Sequence, residues 1–496
     1  MPKMQTFFLK LNTKLAYHFT KSKGEQAMKK QAGVKVICWL GFDLSTTALS
    51  CGARTKDGEE FFASVPIQGA ILWYEQPAFC SEWVPNMIAQ ILEKFKEQGC
   101  VFGAEGALSF SVRQHDLAVA EANTRILRPL LSWQCNAATA EVKELQEMGA
   151  EKIVGKIEPR FILPKLMWIL KEDPQMRAFI QFVMTTGDWI CAMLTGNYRL
   201  SASDALSNGL LNQETKKLAV DVITKAGLNP EWFPEVISSN SVVGRVQPPR
   251  SDTDPWAFIK TTLTDWSVAA SLGDNHASAV GCGLSDDQTI IVSVGTSGTV
   301  VRMCSPKAKL ETGKPACFEY YDNRLLLLML AHCCAWYDKF VERWGEEKKH
   351  DELNKMAMKT RFEDWRYIKT NDDGLEIYPD DWSQIPLDIK VASVQSSIVA
   401  HLIKLVEIML KEVKEAEPIT KVVLTGGLSQ SEFFCYTFKN ILFYLNPQIK
   451  LFVSDRQGPL ASKAAAAGAL ANAIFGIGIN SLQAIITELC PLKPLD

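Results

Sequence analysis

The sequence reads as an α/β chain made of two similar halves, and three observations carry that reading. A buried strand at 34–42 (VKVICWLGF) runs into a turn of one acid and three hydroxyls, Asp43-Leu44-Ser45-Thr46-Thr47, and returns as a strand at 48–54. About half a chain later the design recurs, with a strand at 289–294, a Gly-Thr-Ser-Gly turn at 295–298 and a second strand at 299–303. A third strand, 421–424, runs straight into Gly426-Gly427 and a helix start, an arrangement in which missing side chains let a ring or sugar approach the backbone and the helix end favours anions. Either hydroxyl turn alone is equally well a plain hairpin. The pair suggests two similar domains gripping one polyphosphate, with N–H groups and hydroxyls at each tip.

Bulk properties exclude several classes. The chain has 496 residues, 47% hydrophobic and 22% charged, enough for a large core and for more than one domain. Its formal charge is −3, without a basic stretch interleaved with aromatics, so nucleic acid is not expected as a partner. No window is expected to reach the roughly 18 apolar residues of a membrane span, so no membrane partner is expected either. The 13 cysteines form no CxxC pair and only Cys333-Cys334 are adjacent, which points to reduced thiols and a cytoplasmic location. The six histidines are dispersed, and no dedicated transition-metal site is expected. Residues 1–33 are Lys-rich and read as an extension. A transit peptide would usually carry Arg, which is lacking here, and a start at Met28 explains the segment equally well.

In chain order, alternation predicts a strand at 60–66, and the spacing of Trp83, Met87, Ile88, Ile91, Leu92 and Phe95 predicts a helix at 82–98 ended by Gly99. A strand at 107–112 delivers Arg113-Gln114-His115-Asp116 at its end, where ligands collect in open α/β sheets. His115 is equally read there as a satisfied structural histidine. Residues 130–133 are a short apolar element, Pro164 starts a helix through Lys171, and Arg160-Phe161 precede it in a loop. Residues 199–209 (RLSASDALSNG) read as a solvated loop or a site wall. Asp274, between Gly273 and the small residues Ala277, Ser278, Ala279, Gly281 and Gly283, reads as a carboxylate at a mouth where backbone approaches a ligand. A strand at 324–330, an amphipathic helix at 393–415, a helix opened by Ser429-Gln430-Ser431-Glu432 with capping-box spacing, and an Ala/Gly-rich helix within 459–475 complete the chain.

In order and spacing, Asp43 with Thr46-Thr47, Gln114-His115, Lys165-Leu166-x-Trp168, Asp274-Asn275, Gly295-Thr296-Ser297 and Thr425-Gly426-Gly427 resemble the FGGY family of carbohydrate kinases over about 34–475. Within it, the GDNHAS stretch, the QH pair and Arg160-Phe161 look most like xylulokinases of eukaryotic type. The resemblance implies an actin-like ATPase (ribonuclease H-like) fold with two domains around a central cleft: a sugar domain at 34–283 and a nucleotide domain at 284–496. It implies ATP and Mg²⁺, a catalytic base at Asp274, and sugar contacts from Gln114, His115, Arg160, Asp274 and Asn275. It further implies phosphate and nucleotide contacts from Ser45, Thr46, Thr47, Gly295, Thr296, Ser297, Gly426, Gly427 and Ser431, with Asp43 placing Mg²⁺ indirectly. The implied reaction is phosphorylation of a sugar hydroxyl, first of all D-xylulose to D-xylulose 5-phosphate, by a protein whose partners are a small sugar and ATP; a homodimer stays open. Relatives commonly have Trp-x-Asp where this chain has Trp133-Gln134-Cys135, Gly where it has Asp116, and a Gly-Glu-Arg loop where it has 374–386. A kinase of ribulose or another ketose or polyol, a sugar-binding pseudokinase and an actin-like ATPase stay open as alternatives.

Overall fold

Strand β1 (Lys35–Leu44) is almost continuously apolar and buried, as a central strand must be, and its register with β2 (Ala48–Thr55) pairs Asp43 with Ser50 and Leu44 with Leu49. Asp43 therefore ends a strand, and the turn shrinks to 45–47. This computed structural model describes residues 35–69, 71–121, 126–370 and 376–495. The extension read at 1–33 lies outside the described residues, as do Gly374 and Leu375 of the 374–386 segment.

A seven-stranded sheet grows from this hairpin. Beyond β2 lies β3 (Glu60–Pro66), antiparallel to it; on the other side of β1 lie β4 (Cys100–Val112), then β6 (Ser267–Ala269) and β5 (Val242–Arg245). β6 and the short β7 (Leu272–Gly273) both pair with β4 in parallel, and β5 is antiparallel to β6.

The same plan recurs in the second sheet. β8 (Thr289–Val294) and β9 (Gly298–Cys304) form the hairpin, β11 (Asn323–Leu330) is antiparallel to β9, and β10 (Ala316–Tyr320) extends that edge. On the other side of β8, β12 (Lys421–Gly426) and β13 (Lys450–Ser454) add in parallel, and β14 (Leu492–Pro494) closes antiparallel. A hairpin, a third antiparallel strand, two parallel strands and an antiparallel edge thus occur twice. All strands of the first sheet precede residue 274 and all of the second follow 288. Residues 36–496 nevertheless form one compact unit.

Helices cover the sheets. α1 (Trp83–Glu97) buries the apolar face read from its spacing, and α2 (Ile162–Glu172) has Pro164 in its first turn. α3 (Asp274–Gly281) crosses α7 (Ala464–Gly476) at van der Waals limit: a Cβ at Gly281 would overlap the Ala464 carbonyl, and one at Gly468 the Ala277 carbonyl. The small residues after Asp274 therefore serve helix–helix contact, a correction to their reading as ligand-facing. Steric need for close backbones, rather than for a ligand, selects them.

Three further expectations change. Residues 202–207 form a short buried helix, not a solvated loop, because Ser201, Ser203, Asp204 and Asn208 find internal partners. The apolar helix α5 (Leu387–Glu412) spans 26 residues with a window of mean hydropathy 1.4, so one helix does reach the length and composition of a membrane span; 61% of that window is buried inside the protein. The capping box does not form at Ser429, whose hydroxyl donates to Gly426 O at 2.6 Å; Ser431 caps α6 (Glu432–Leu445) by accepting from Phe434 N at 3.3 Å.

Candidate active site

The site is built on the end of β4. The parallel register sets Leu272 beside Ser111 and Gly273 beside Val112, so Asp274, the first residue of α3, emerges next to Arg113. On the other flank Ser111 donates its hydroxyl to Asp43 Oδ1 at 3.0 Å. Asp43 and Asp274 thus stand on either side of one strand end. Burial pushes Asp43 up to about 6, opposed by the Ser111 hydrogen bond and the charge of Lys463. Asp274 is pushed up to about 7, first by burial and then by the charge of Asp43, with its own hydrogen bond from Asn275 N (2.9 Å) pulling the other way. A carboxylate held near neutrality is suited to taking a proton.

Beside Asp274 runs a row of polar groups. Asn275 Nδ2 donates to Gln114 Oε1 at 2.8 Å, and Gly273 lacks a Cβ because the Gln114 side chain lies 2.8 Å from where it would stand. Gln114 Nε2 is buried with no partner among the described residues, which leaves a donor for a ligand oxygen. His115 stacks on Phe161 with centroids 4.9 Å apart, and its Nδ1 lies 3.1 Å from Asn208 Oδ1. Because Asn208 Nδ2 donates to the Gln114 and Asp204 carbonyls, both at 2.8 Å, its oxygen must face the imidazole. Nδ1 then carries the proton and Nε2 accepts. Burial, followed by the charge of Arg160, lowers His115 to about 3, so the ring stays neutral. Arg160 is paired with Glu158 at 2.7 Å, and its Nε is buried without a partner among the described residues.

Sequence reasoning quoted Lys165 within a motif but gave it no part in holding this row. Lys165 in α2 is fully buried and its ammonium donates to three carbonyls: His115 (a short contact), Leu131 at 3.5 Å and Ser132 at 3.3 Å. Burial lowers it to about 8, still mostly charged at neutral pH. Asn208 was also missed, since its signal lay inside a run of small polar residues. Asp116 is buried, pairs with Arg113 at 2.5 Å and accepts from Trp133 N at 2.8 Å, and its charge adds to what raises Asp274. Trp133 Nε1 reaches Thr46 Oγ1 at 3.3 Å across to the first hydroxyl turn. Cys135 is buried in the core. Of the turn hydroxyls, Ser45 closes its own turn, donating to Ala48 O at 2.9 Å, whereas Thr46 and Thr47 are exposed.

In the second half, the turn Gly295-Thr296-Ser297 has Thr296 exposed, and two of its carbonyls cap helix α4 (Cys334–Trp344): Cys333 N donates to Thr296 O at 3.1 Å and Cys334 N to Gly295 O at 2.8 Å. β12 pairs Gly426 with Val294, so the two glycine-bearing ends meet. Gly426 has φ +98°, and a Cβ there would stand 2.7 Å from Val294 O. Gly427 has room, its nearest neighbour being Cys334 Sγ at 3.5 Å. Ser431 is buried, donating to Gln395 Oε1 at 2.8 Å while capping α6, so its hydroxyl is committed to the fold rather than to a nucleotide. Among the described residues no group of three or more His, Cys, Asp or Glu is arranged as a metal cluster.

Residues 39–281 match the FGGY family of carbohydrate kinases, N-terminal domain. The chain is 26% identical over 269 residues to a xylulose kinase of Staphylococcus epidermidis, covering 53% of this chain and 52% of that protein. It is likewise 26% identical over 295 residues to a xylulose kinase of Lactococcus lactis, 55% of each. The chain thus spans about half the length of the curated relatives it matches. Among solved structures it resembles ligand-bound xylulose kinase from Lactobacillus acidophilus (TM-score 0.76, 16% identity, 93% of each chain). It also resembles Plasmodium falciparum glycerol kinase with ADP (TM-score 0.78, 13% identity, 93% of each chain). At these identities the likeness shows the fold, which is actin-like, of the ribonuclease H type.

Proposed function

We propose that the chain, whose residues 39–281 match the N-terminal domain of the FGGY family of carbohydrate kinases, is a kinase of that family and transfers the γ-phosphoryl group of ATP to a hydroxyl of a small sugar, D-xylulose first, giving D-xylulose 5-phosphate. The observation that carries the reading is one strand end flanked by Asp43 and Asp274, with Asn275, Gln114 and His115 in a row beside it. Names of the xylulose kinases it resembles point the same way.

The chain's own groups give the reaction its order. A sugar hydroxyl is a poor nucleophile, so Asp274 takes its proton as it attacks phosphorus. Gln114 Nε2 donates to one ligand oxygen, and neutral His115 Nε2 accepts from a sugar hydroxyl, which turns the reacting oxygen toward the carboxylate. Thr46 and Thr47 on one side and the 295–297 turn on the other offer hydroxyl and N–H donors to phosphate oxygens. Asp43, across the strand end from Asp274 and beside the first hydroxyl turn, is the residue that would place Mg²⁺; bound with ATP, the ion would offset charge on the phosphoryl group. Gly427 leaves the adenosine side open.

A second reading is favoured by Cys135. Where relatives commonly present a carboxylate, this chain buries a thiol in the core, which removes an acceptor for one sugar hydroxyl. D-ribulose, differing from D-xylulose in the configuration of one hydroxyl-bearing carbon, is the first alternative substrate to compare. A coupled ADP assay over about twenty ketoses, aldoses and polyols decides. D-xylulose with the highest kcat/KM supports the first reading; D-ribulose ahead of it supports the second. No turnover with intact sugar binding would make the protein a sugar-binding pseudokinase.

A further inference from the structure

Two adjacent thiols stand where the phosphate turn meets the glycine pair, and the proposed reaction uses neither. Cys333 and Cys334 open α4, their N–H groups held by the carbonyls of Thr296 and Gly295. Cys334 Sγ lies 2.9 Å from Val294 O, at the end of β8, and 3.5 Å from where a side-chain carbon on Gly427 would stand. The sulfur therefore borders the space that Gly427 leaves open.

The thiol is also distinct in kind. None of the thirteen cysteines is in a disulfide; ten are buried, and three, Cys80, Cys317 and Cys334, are part-exposed. Burial raises the thiols of Cys80 and Cys317. Cys334 is lowered, first because the buried Cys333 thiol donates to it, against its own burial, with the Leu428 N–H lowering it further and the charge of Asp338 opposing. Its place in the first turn of a helix favours the thiolate further.

We propose that Cys334 is a modification site facing the nucleotide, a thiol that takes a low-molecular-weight disulfide such as glutathione disulfide, or an alkylating electrophile, in competition with ATP. The inference rests on the nucleotide half of the function proposed above. With glutathione disulfide the Cys334 thiolate attacks one sulfur, a protein–glutathione S–S bond forms, and the other sulfur leaves as glutathione thiolate and takes up a proton. The protein thiol is oxidised and half of the disulfide is reduced, so no further oxidant is needed. Excess thiol reverses the exchange.

The full-length protein, treated separately with glutathione disulfide and with iodoacetamide and then digested, gives the test by peptide mass. Cys334 should carry the adduct before Cys80 or Cys317, and binding of a fluorescent ATP analogue should fall in step and return with excess thiol after glutathione treatment. Mg·ATP at ten times its dissociation constant should slow labelling about tenfold, by occupancy alone, while sugar alone should not. Cys334→Ser should clear the adduct from its peptide and Cys333→Ser should keep it. First labelling elsewhere, an unchanged rate under Mg·ATP, or analogue binding that survives full modification would each overturn the site. Unprotected labelling in a preparation that still phosphorylates sugar sinks the site and spares the kinase reading; protected labelling in one that phosphorylates no sugar does the reverse.

Discussion

Asp274 carries the chemistry proposed here, and its environment sets a measurable pH dependence. Held at about 7 by burial and by Asp43, it is protonated in acid and ionised as a base only above neutrality. In the free enzyme kcat/KM for sugar should therefore rise with pH through an inflection near 7 and level off beyond it. Asp274→Asn should lower kcat by about 10²- to 10⁴-fold, the usual worth of a positioned base, and leave ATP affinity near wild type. The same residue should act oppositely on stability. Its folded value lies above the ordinary 3.8, so the wild-type fold is penalised increasingly as pH rises from about 4 through 7. The melting temperature of Asp274→Asn should thus gain on wild type across that window and hold its advantage above it. A variant that keeps wild-type kcat would remove the base from Asp274, and one without the stability trend would remove its raised value.

Two elements decide where substrates meet the chain. The β12 end separates its glycines by role: Gly426 needs φ +98° and stands against the Val294 backbone, while Gly427 has space around it. Gly427→Val should raise the KM for ATP far more than that for sugar, whereas Gly426→Val should lower soluble yield and melting temperature. Equal effects on both substrates at Gly427 would move the nucleotide elsewhere. In α2, Lys165 ties together three carbonyls that belong to the sugar wall. Removing the ammonium leaves buried acceptors unpaired at about 1–3 kcal/mol each, so Lys165→Met should cost stability and raise sugar KM several-fold while ATP KM holds. If ATP KM rises as much as sugar KM, the lysine supports the core at large.

At the scale of the molecule, the duplicated sheets are joined through the α3–α7 crossing and through polar contacts such as Asn472 to Ser109 (3.1 Å) and Ala270 O (2.9 Å). Asp274 sits at the first residue of one of those crossing helices. A shift of the second sheet against the first would therefore move the carboxylate's own helix. The two halves at 34–283 and 284–496 are proposed to close on ligands, excluding water as a competing acceptor. Small-angle scattering should show a smaller radius of gyration with sugar and a non-hydrolysable ATP analogue both saturating. An unchanged radius would argue for a site formed before binding.

The sequence by itself determined the two hydroxyl turns, the repeated strand–turn–strand plan, and Asp274, Gln114, His115 and the glycine pair as candidates, because strand periodicity and turn chemistry are local properties. Tertiary structure alone decided which hydroxyls stay available. Thr46 and Thr47 remain exposed, while Ser45 and Ser431 are spent on a turn and a helix cap. It also turned the small residues after Asp274 toward another helix some 190 positions away in the chain, and gave Asp116, Lys165 and Asn208 their supporting partners. The physical reason is common to all of these: a buried polar group or a close backbone contact is specified by what lies across the fold, and neither periodicity nor spacing contains that neighbour.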